Sequence, residues 1–118
     1  MEKVRFKSDF RKRLYFFTLK LIEFVDSLPK DNVSQKIGDE LFGTGTRVIV
    51  NFIEGQAAQT KKEFTYYINI SLKSANESKL WLALLRDSKR AKQEKVKWFL
   101  DELDEISQLL SASIEVTS

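Results

Sequence analysis

The sequence predicts an all-α protein, an antiparallel up-down-up-down four-helix bundle, and three observations carry that expectation. Apolar residues recur at spacings of three and four through four separate stretches. The single proline, a few glycines and clusters of polar residues divide the chain between those stretches. The divisions are short, and four helices joined by short loops fold most simply up and down.

The first segment runs over about 9–28. Asp9 is a plausible N-cap, and Phe10, Leu14, Phe17, Leu21, Phe24 and Leu28 form one stripe that Pro29 stops. A second set, Tyr15, Phe16, Leu19, Ile22 and Val25, widens the apolar face beyond what packing against one bundle needs, so something must cover it. The second segment, about 34–55, opens at Asn32 or Ser34. It carries Ile37, Leu41, Val48 and Phe52 on one face, with Phe42, Ile49 and Ile53 beside them, and ends near Gly55.

Gly43 and Gly45 lie inside that helix, each costing about 1 kcal/mol relative to Ala. Gly43-Thr44-Gly45-Thr46 is therefore either a phosphate loop or a place of close helix approach. No Gly-Lys-Ser/Thr follows and no strand leads into it, which favours close packing.

Thr60 followed by Glu63 is a capping box that opens the third segment, about 61–88. Its stripe is Phe64, Ile68, Ser71, Ala75, Ser78, Leu82 and Leu85, with small residues in the middle that let a neighbour come close, the small positions of the second helix being the expected partner. The fourth segment, about 91–114, repeats the pattern with Val96, Phe99, Leu103, Ile106 and Leu110, leaving Trp98, Leu100 and Leu109 outside the stripe.

All four belong to one expected domain, 1–118, for which 42% hydrophobic residues with nine Phe and two Trp supply a core. Lys plus Arg exceed Asp plus Glu by only 20 to 17, so a net charge of +3 does not by itself identify nucleic acid as a partner. There is no Cys and no His. Thiolate and Ser-His-Asp catalysis, the usual zinc sites and the Glu-x-x-His pairs of di-iron bundles are all closed to such a chain. No enzymatic activity, no cofactor and no metal are expected. The longest apolar runs are far short of the roughly 20 residues of a membrane span. The N-terminus alternates charged and apolar residues and lacks the apolar core of a signal peptide, so a cytoplasmic location is expected.

The stretch from Asn51 to Phe64, NFIEGQAAQTKKEF, and the later Ser74-Ala75-Asn76-Glu77 resemble the four-helix-bundle family of 23S ribosomal RNA intervening sequence proteins. The matching positions are Asn51, Glu54, Gly55, Thr60, Glu63, Phe64, Ser74 and Glu77, while Phe52 and Ile53 replace the usual small aliphatic pair. The resemblance implies a homopentameric ring of antiparallel bundles without known catalysis. It also implies kinship with the accessory variability proteins of diversity-generating retroelements, which bind nucleic acid and a reverse transcriptase.

Among the polar residues of that motif, Asn51, Glu54 and Glu77 admit two readings. One is a contact or metal site. The other, favoured by the absence of an ordered Asp-x-Asp pattern, is structural: Asn51 and Glu54 hydrogen-bond the open backbone donors around Thr60 to Lys62.

Basic residues gather twice. Lys3, Arg5, Lys7, Arg11, Lys12 and Arg13 form one group, and Arg86, Lys89, Arg90, Lys92, Lys95 and Lys97 form the other at the turn between the third and fourth helices. Residues 101–118 hold five acidic residues and no basic one. In an up-down bundle that acidic stretch meets the first basic group and neutralises it. The 86–97 group has no such counterpart in the sequence and is the better candidate for phosphate contact, repeated by assembly. Trp98 or Trp81 could stack on exposed bases, although aromatic residues at helical spacing are more often core or interface. Two functions remain open: a self-assembling binder of RNA or other nucleic acid, and a protein-protein adaptor without nucleic-acid binding.

Overall fold

Four helices follow the apolar periodicity: α1 (Glu2–Asp26), α2 (Asn32–Gln56), α3 (Lys61–Asp87) and α4 (Gln93–Thr117). The computed structural model describes residues 2–117, with side chains placed for 5–115, so Lys3 of the N-terminal basic group and the outermost residues of the expected domain lie outside the described side chains. The helices form a rod of 46 × 22 × 18 Å.

Helix α1 begins at Glu2 and not at the expected Asp9 cap, which is an exposed mid-helix residue. Straight-chain helix formers fill the added turns, and Phe6 lies one turn before Phe10 with the rings 5.8 Å apart, so the stripe continues past Asp9. The stripe itself is buried from Phe10 to Leu28, whereas Tyr15, Phe16, Leu19 and Ile22 are exposed.

At the start of α2 the cap is Asp31, whose carboxylate accepts from the backbone N–H of Ser34 at 3.1 Å. The helix runs through Gly43 and Gly45 without a break. Gly45 has a steric reason: a Cβ there would collide with the Leu21 side chain of α1. Gly43 has none, since a Cβ would meet only the end of Arg47, 3.8 Å away. The α3 side of α2 is joined differently, by a hydrogen bond of 2.8 Å between the hydroxyls of Ser78 and Thr44 and by Ser71 Oγ donating to the Val48 carbonyl at 2.6 Å. The small stripe of α3 thus faces Thr44, as expected, while Gly45 serves α1. Small side chains on both helices make α2 and α3 the most closely packed pair, and large rings make α1 and α4 the most widely spaced of the neighbouring pairs. Phe17 and Phe24 meet Phe99 at 5.7 and 5.0 Å between centroids.

Helix α3 opens with the expected capping box. Glu63 N–H donates to Thr60 Oγ1 at 3.1 Å, and the Glu63 carboxylate reaches back to the Gln59 N–H at 3.2 Å. It closes in a Schellman turn: Arg90 N–H donates to the Leu85 carbonyl at 2.8 Å and Lys89 N–H to that of Arg86 at 3.0 Å. Lys89 holds the left-handed position of that turn, φ 62°, where glycine is usual. The turn consumes residues that the sequence assigns to the last helix, so α4 starts two residues later than expected.

The antiparallel order is fixed by cross-helix contacts. Arg11 donates to Gln56 Oε1 at 2.9 Å, Arg13 pairs with Glu102, and Lys79 pairs with Asp104 at 2.6 Å. Arg11 near the start of α1 meets Gln56 at the end of α2, and between α1 and α4 the later Phe24 meets Phe99 while the earlier Arg13 meets Glu102, as up-down packing requires.

Candidate nucleic-acid interface

The α3–α4 corner brings the six basic residues singled out by the sequence to one end of the bundle, but it does not leave them equally free. Arg86 Nε lies 2.8 Å from Asp87 Oδ1, and Lys97 Nζ lies 2.6 Å from Asp101 Oδ2 one turn along α4. Arg90 Nε lies 3.7 Å from Asp31 Oδ2, an ion pair too long for a direct hydrogen bond. Lys89, Lys92 and Lys95 are exposed and make no ion pair among the described residues.

The expectation that this corner lacks acidic counterparts is therefore corrected for half of it. For Arg86 and Lys97 the partners are near in sequence, Asp87 next to the first and Asp101 one turn after the second. For Arg90 the reason is topological, because in an up-down bundle the α1–α2 turn, with Asp31, lies beside the α3–α4 turn. The Asp31 carboxyl is held below its ordinary 3.8 by Ser34, whose hydroxyl and backbone N–H both face it, and by the charge of Arg90. Asp87 is likewise lowered by hydrogen bonding from Arg86.

Lys92 occupies the N-cap position of α4, its carbonyl accepting from the Val96 N–H at 3.1 Å. An ammonium cannot accept the free first-turn N–H groups, so donors and positive charge accumulate at the same place. A depression of about 550 Å³ opens there, lined by residues between Arg86 and Gln93. Chemically the corner is a cluster of cations and open donors fitted to anionic oxygens.

A second groove of about 300 Å³ lies next to this corner, between α1 and α4, and Lys20, Lys95 and Trp98 line it. Trp98 is 40% exposed, which places it at the surface, whereas Trp81 is half-buried. The N-terminal basic group is separated from this site at the opposite end. Arg13 there pairs with Glu102 and Arg11 binds Gln56, but Arg5, Lys7 and Lys12 are exposed and make no ion pair among the described residues, so the expected neutralisation by the acidic stretch is seen for Arg13 alone.

The motif residues are mostly internal. Asn51 is buried and donates to the Arg47 carbonyl at 2.8 Å within its own helix, while Thr60 and Glu63 take the N–H groups of Glu63 and Gln59 at the start of α3. Gly55 lets α3 approach, because a Cβ would stand 3.1 Å from Ile68 Cδ1. Ser74 is buried and its carbonyl accepts from Ser78 Oγ at 2.8 Å. Glu54 and Glu77 are exposed and have no ionic partner among the described residues. No group of three or more Asp, Glu, His or Cys among the described residues could hold a metal ion.

Apolar surface is the other conspicuous feature. Tyr15, Leu19 and Ile22 repeat at four and three along the outside of α1, and Phe42 and Ile53 are exposed on α2. The Leu21–Gly45 and Arg11–Gln56 contacts set a register that puts Ile22 level with Phe42 and Tyr15 level with Ile53. The two sets thus border one face.

Fold and surface together define a small all-helical bundle that carries a charged corner and exposed apolar faces. The chain belongs to the 23S rRNA-intervening sequence protein family, whose sequence pattern matches residues 7–112. It is also similar to the crystal structure of a protein of unknown function from the S23 ribosomal protein family of Bacteroides thetaiotaomicron VPI-5482. The two are 25% identical over 93% of this chain and 98% of that one, with a TM-score of 0.85. No protein of curated function matches it in sequence. No described helix is long and apolar enough to cross a membrane.

Proposed function

We propose that the chain is a non-catalytic, self-associating cytoplasmic protein that binds RNA or another nucleic acid through phosphate contacts at the α3–α4 corner. The observation that carries this reading is the trio Lys89, Lys92 and Lys95, three exposed cations without carboxylate partners, grouped around the open N-terminus of α4. Assembly multiplies the corner: in a ring, a homopentamer by the family likeness, each copy adds the same trio and binding gains avidity. The apolar face bordered by Tyr15, Leu19, Ile22, Phe42 and Ile53 is the surface available for that assembly.

Electrophoretic retardation of RNA by the wild type and by a Lys89→Ala, Lys92→Ala, Lys95→Ala triple variant tests the reading. Binding by the wild type and loss in the variant support it, and equal retardation by both overturns it. The same apolar face favours a second reading, an adaptor that docks on a protein such as a reverse transcriptase. Failure to retain any nucleic acid at low salt, with a partner protein still bound, selects it.

A further inference from the structure

The groove beside the corner carries the reading one step further, to the kind of nucleic acid. Lys92, Lys95 and Trp98 follow one another at intervals of three along α4. That spacing advances about 4.5 Å per step and turns steadily from the α3–α4 corner toward α1. Lys95 belongs to the groove, and Lys92 lines the corner depression. A path of about 9 Å therefore leads from free ammonium groups to an exposed indole.

The indole is held in place before anything binds. It stacks on Phe17 with the planes 16° apart and meets Phe99 edge-on at 4.9 Å and Phe16 edge-on at 6.3 Å. Lys20 lies across the groove with Nζ 5.5 Å from the centre of the Phe16 ring. The one carboxylate lining the groove, Glu23, is 3.6 Å from Lys20, so it does not cancel Lys95.

A fixed aromatic surface flanked by cations suits a flat, electron-rich ring joined to phosphate, because every base presents a π-face and its backbone presents charge. A base inside a duplex is already stacked and paired and cannot enter a groove between two helices.

Resting on the phosphate-binding role of the corner, we infer that the α1–α4 groove takes an unpaired base of a single-stranded polynucleotide, stacked on Trp98, while Lys92 and Lys95 hold the adjoining phosphates. RNA and DNA share this chemistry.

The test is titration of the full chain with uridine and thymidine oligonucleotides and with a duplex of equal length, read by fluorescence anisotropy of the labelled nucleic acid. Trp98→Ala should weaken single-strand binding by about 5- to 150-fold and leave duplex binding unchanged. Trp98→Phe, which keeps a ring against Phe17, should restore most of the affinity and guards against a folding defect, checked by circular dichroism. A preference for the uridine or the thymidine strand distinguishes RNA from DNA as the source. Equal affinity for strand and duplex, or an unchanged affinity in Trp98→Ala, overturns the inference. If the lysine variants still weaken binding in that case, the corner reading stands without the groove. If nothing binds at low salt, both fall. A Trp98→Ala chain that binds normally but loses assembled mass makes the groove a contact between copies and also overturns it.

Discussion

Replacing Lys89 by glycine should make the protein more stable and a poorer binder at once. Lys89 sits at φ 62° in the turn that ends α3, where a side chain crowds the backbone and glycine does not. Relief of that conformation is worth about 1 kcal/mol. A chain of 118 residues has an unfolding entropy of about 0.25 kcal/mol/K, so the melting temperature should rise by about 4 °C. Lys89→Ala keeps the Cβ and its strain, and its melting temperature should not rise. Both substitutions remove the same ammonium and should weaken nucleic-acid binding alike. Thermal unfolding followed by circular dichroism, paired with a binding isotherm for each variant, separates the effects. Equal melting temperatures for the glycine and alanine variants would refute the strain argument. Unchanged binding in both would remove Lys89 from the contact.

Other outcomes follow from the same packing and charges. Gly43→Ala and Gly45→Ala, two residues apart, should differ in urea unfolding. Both gain about 1 kcal/mol of helix propensity, but the second also drives a methyl into Leu21 at an overpacking cost of about 1–3 kcal/mol, so only the first should stabilise. Asp31 and Asp87 should titrate below 3.8 when followed by NMR of their carboxyl carbons. Because their folded values are depressed, their stabilising effect is complete above the unfolded value near 3.8 and is lost as pH falls through the folded ones. Asp31→Asn should accordingly flatten the acid limb of the stability profile, and an unchanged limb would count against the cap. Leu19→Lys with Ile22→Lys should leave the bundle folded, since both side chains are exposed, but lower its mass in light scattering if this face joins copies. An unchanged assembled mass would move the interface elsewhere.

What the sequence made legible was whatever depends on helical period. The stripes Phe10 to Phe24 on α1, continued by Leu28 in the turn after it, and Val96 to Leu110 on α4 are buried as their spacing requires, and Thr60 with Glu63 caps α3 as written. Two features escaped because their cause is not periodic. The left-handed residue after α3 is a lysine, so the glycine that normally marks a Schellman turn was missing and the start of α4 was placed too early. The partner of Arg90 is 59 residues away in sequence and becomes adjacent only when two turns meet at one end of the bundle. A signal for it did exist: Asp31 is the one acidic residue in the turn that up-down topology places there. The motif residues Asn51 and Glu54 misled for another reason. Proximity along the chain suggested capping of α3, yet Asn51 bonds the Arg47 carbonyl of its own helix, and Thr60 and Glu63 form the capping box.

The central claim, that three unpaired lysines at the α3–α4 corner hold phosphates, is tested most directly by the salt dependence of affinity for a short single-stranded oligonucleotide. Three phosphates neutralised on a single strand correspond to a slope of about −2 in log affinity against log salt. The account predicts that Lys89→Ala, Lys92→Ala and Lys95→Ala together remove a slope of about that size. A triple Ala exchange at Arg86, Arg90 and Lys97, whose charges already face carboxylates, should remove less. A slope that the first triple variant leaves unchanged would contradict the account.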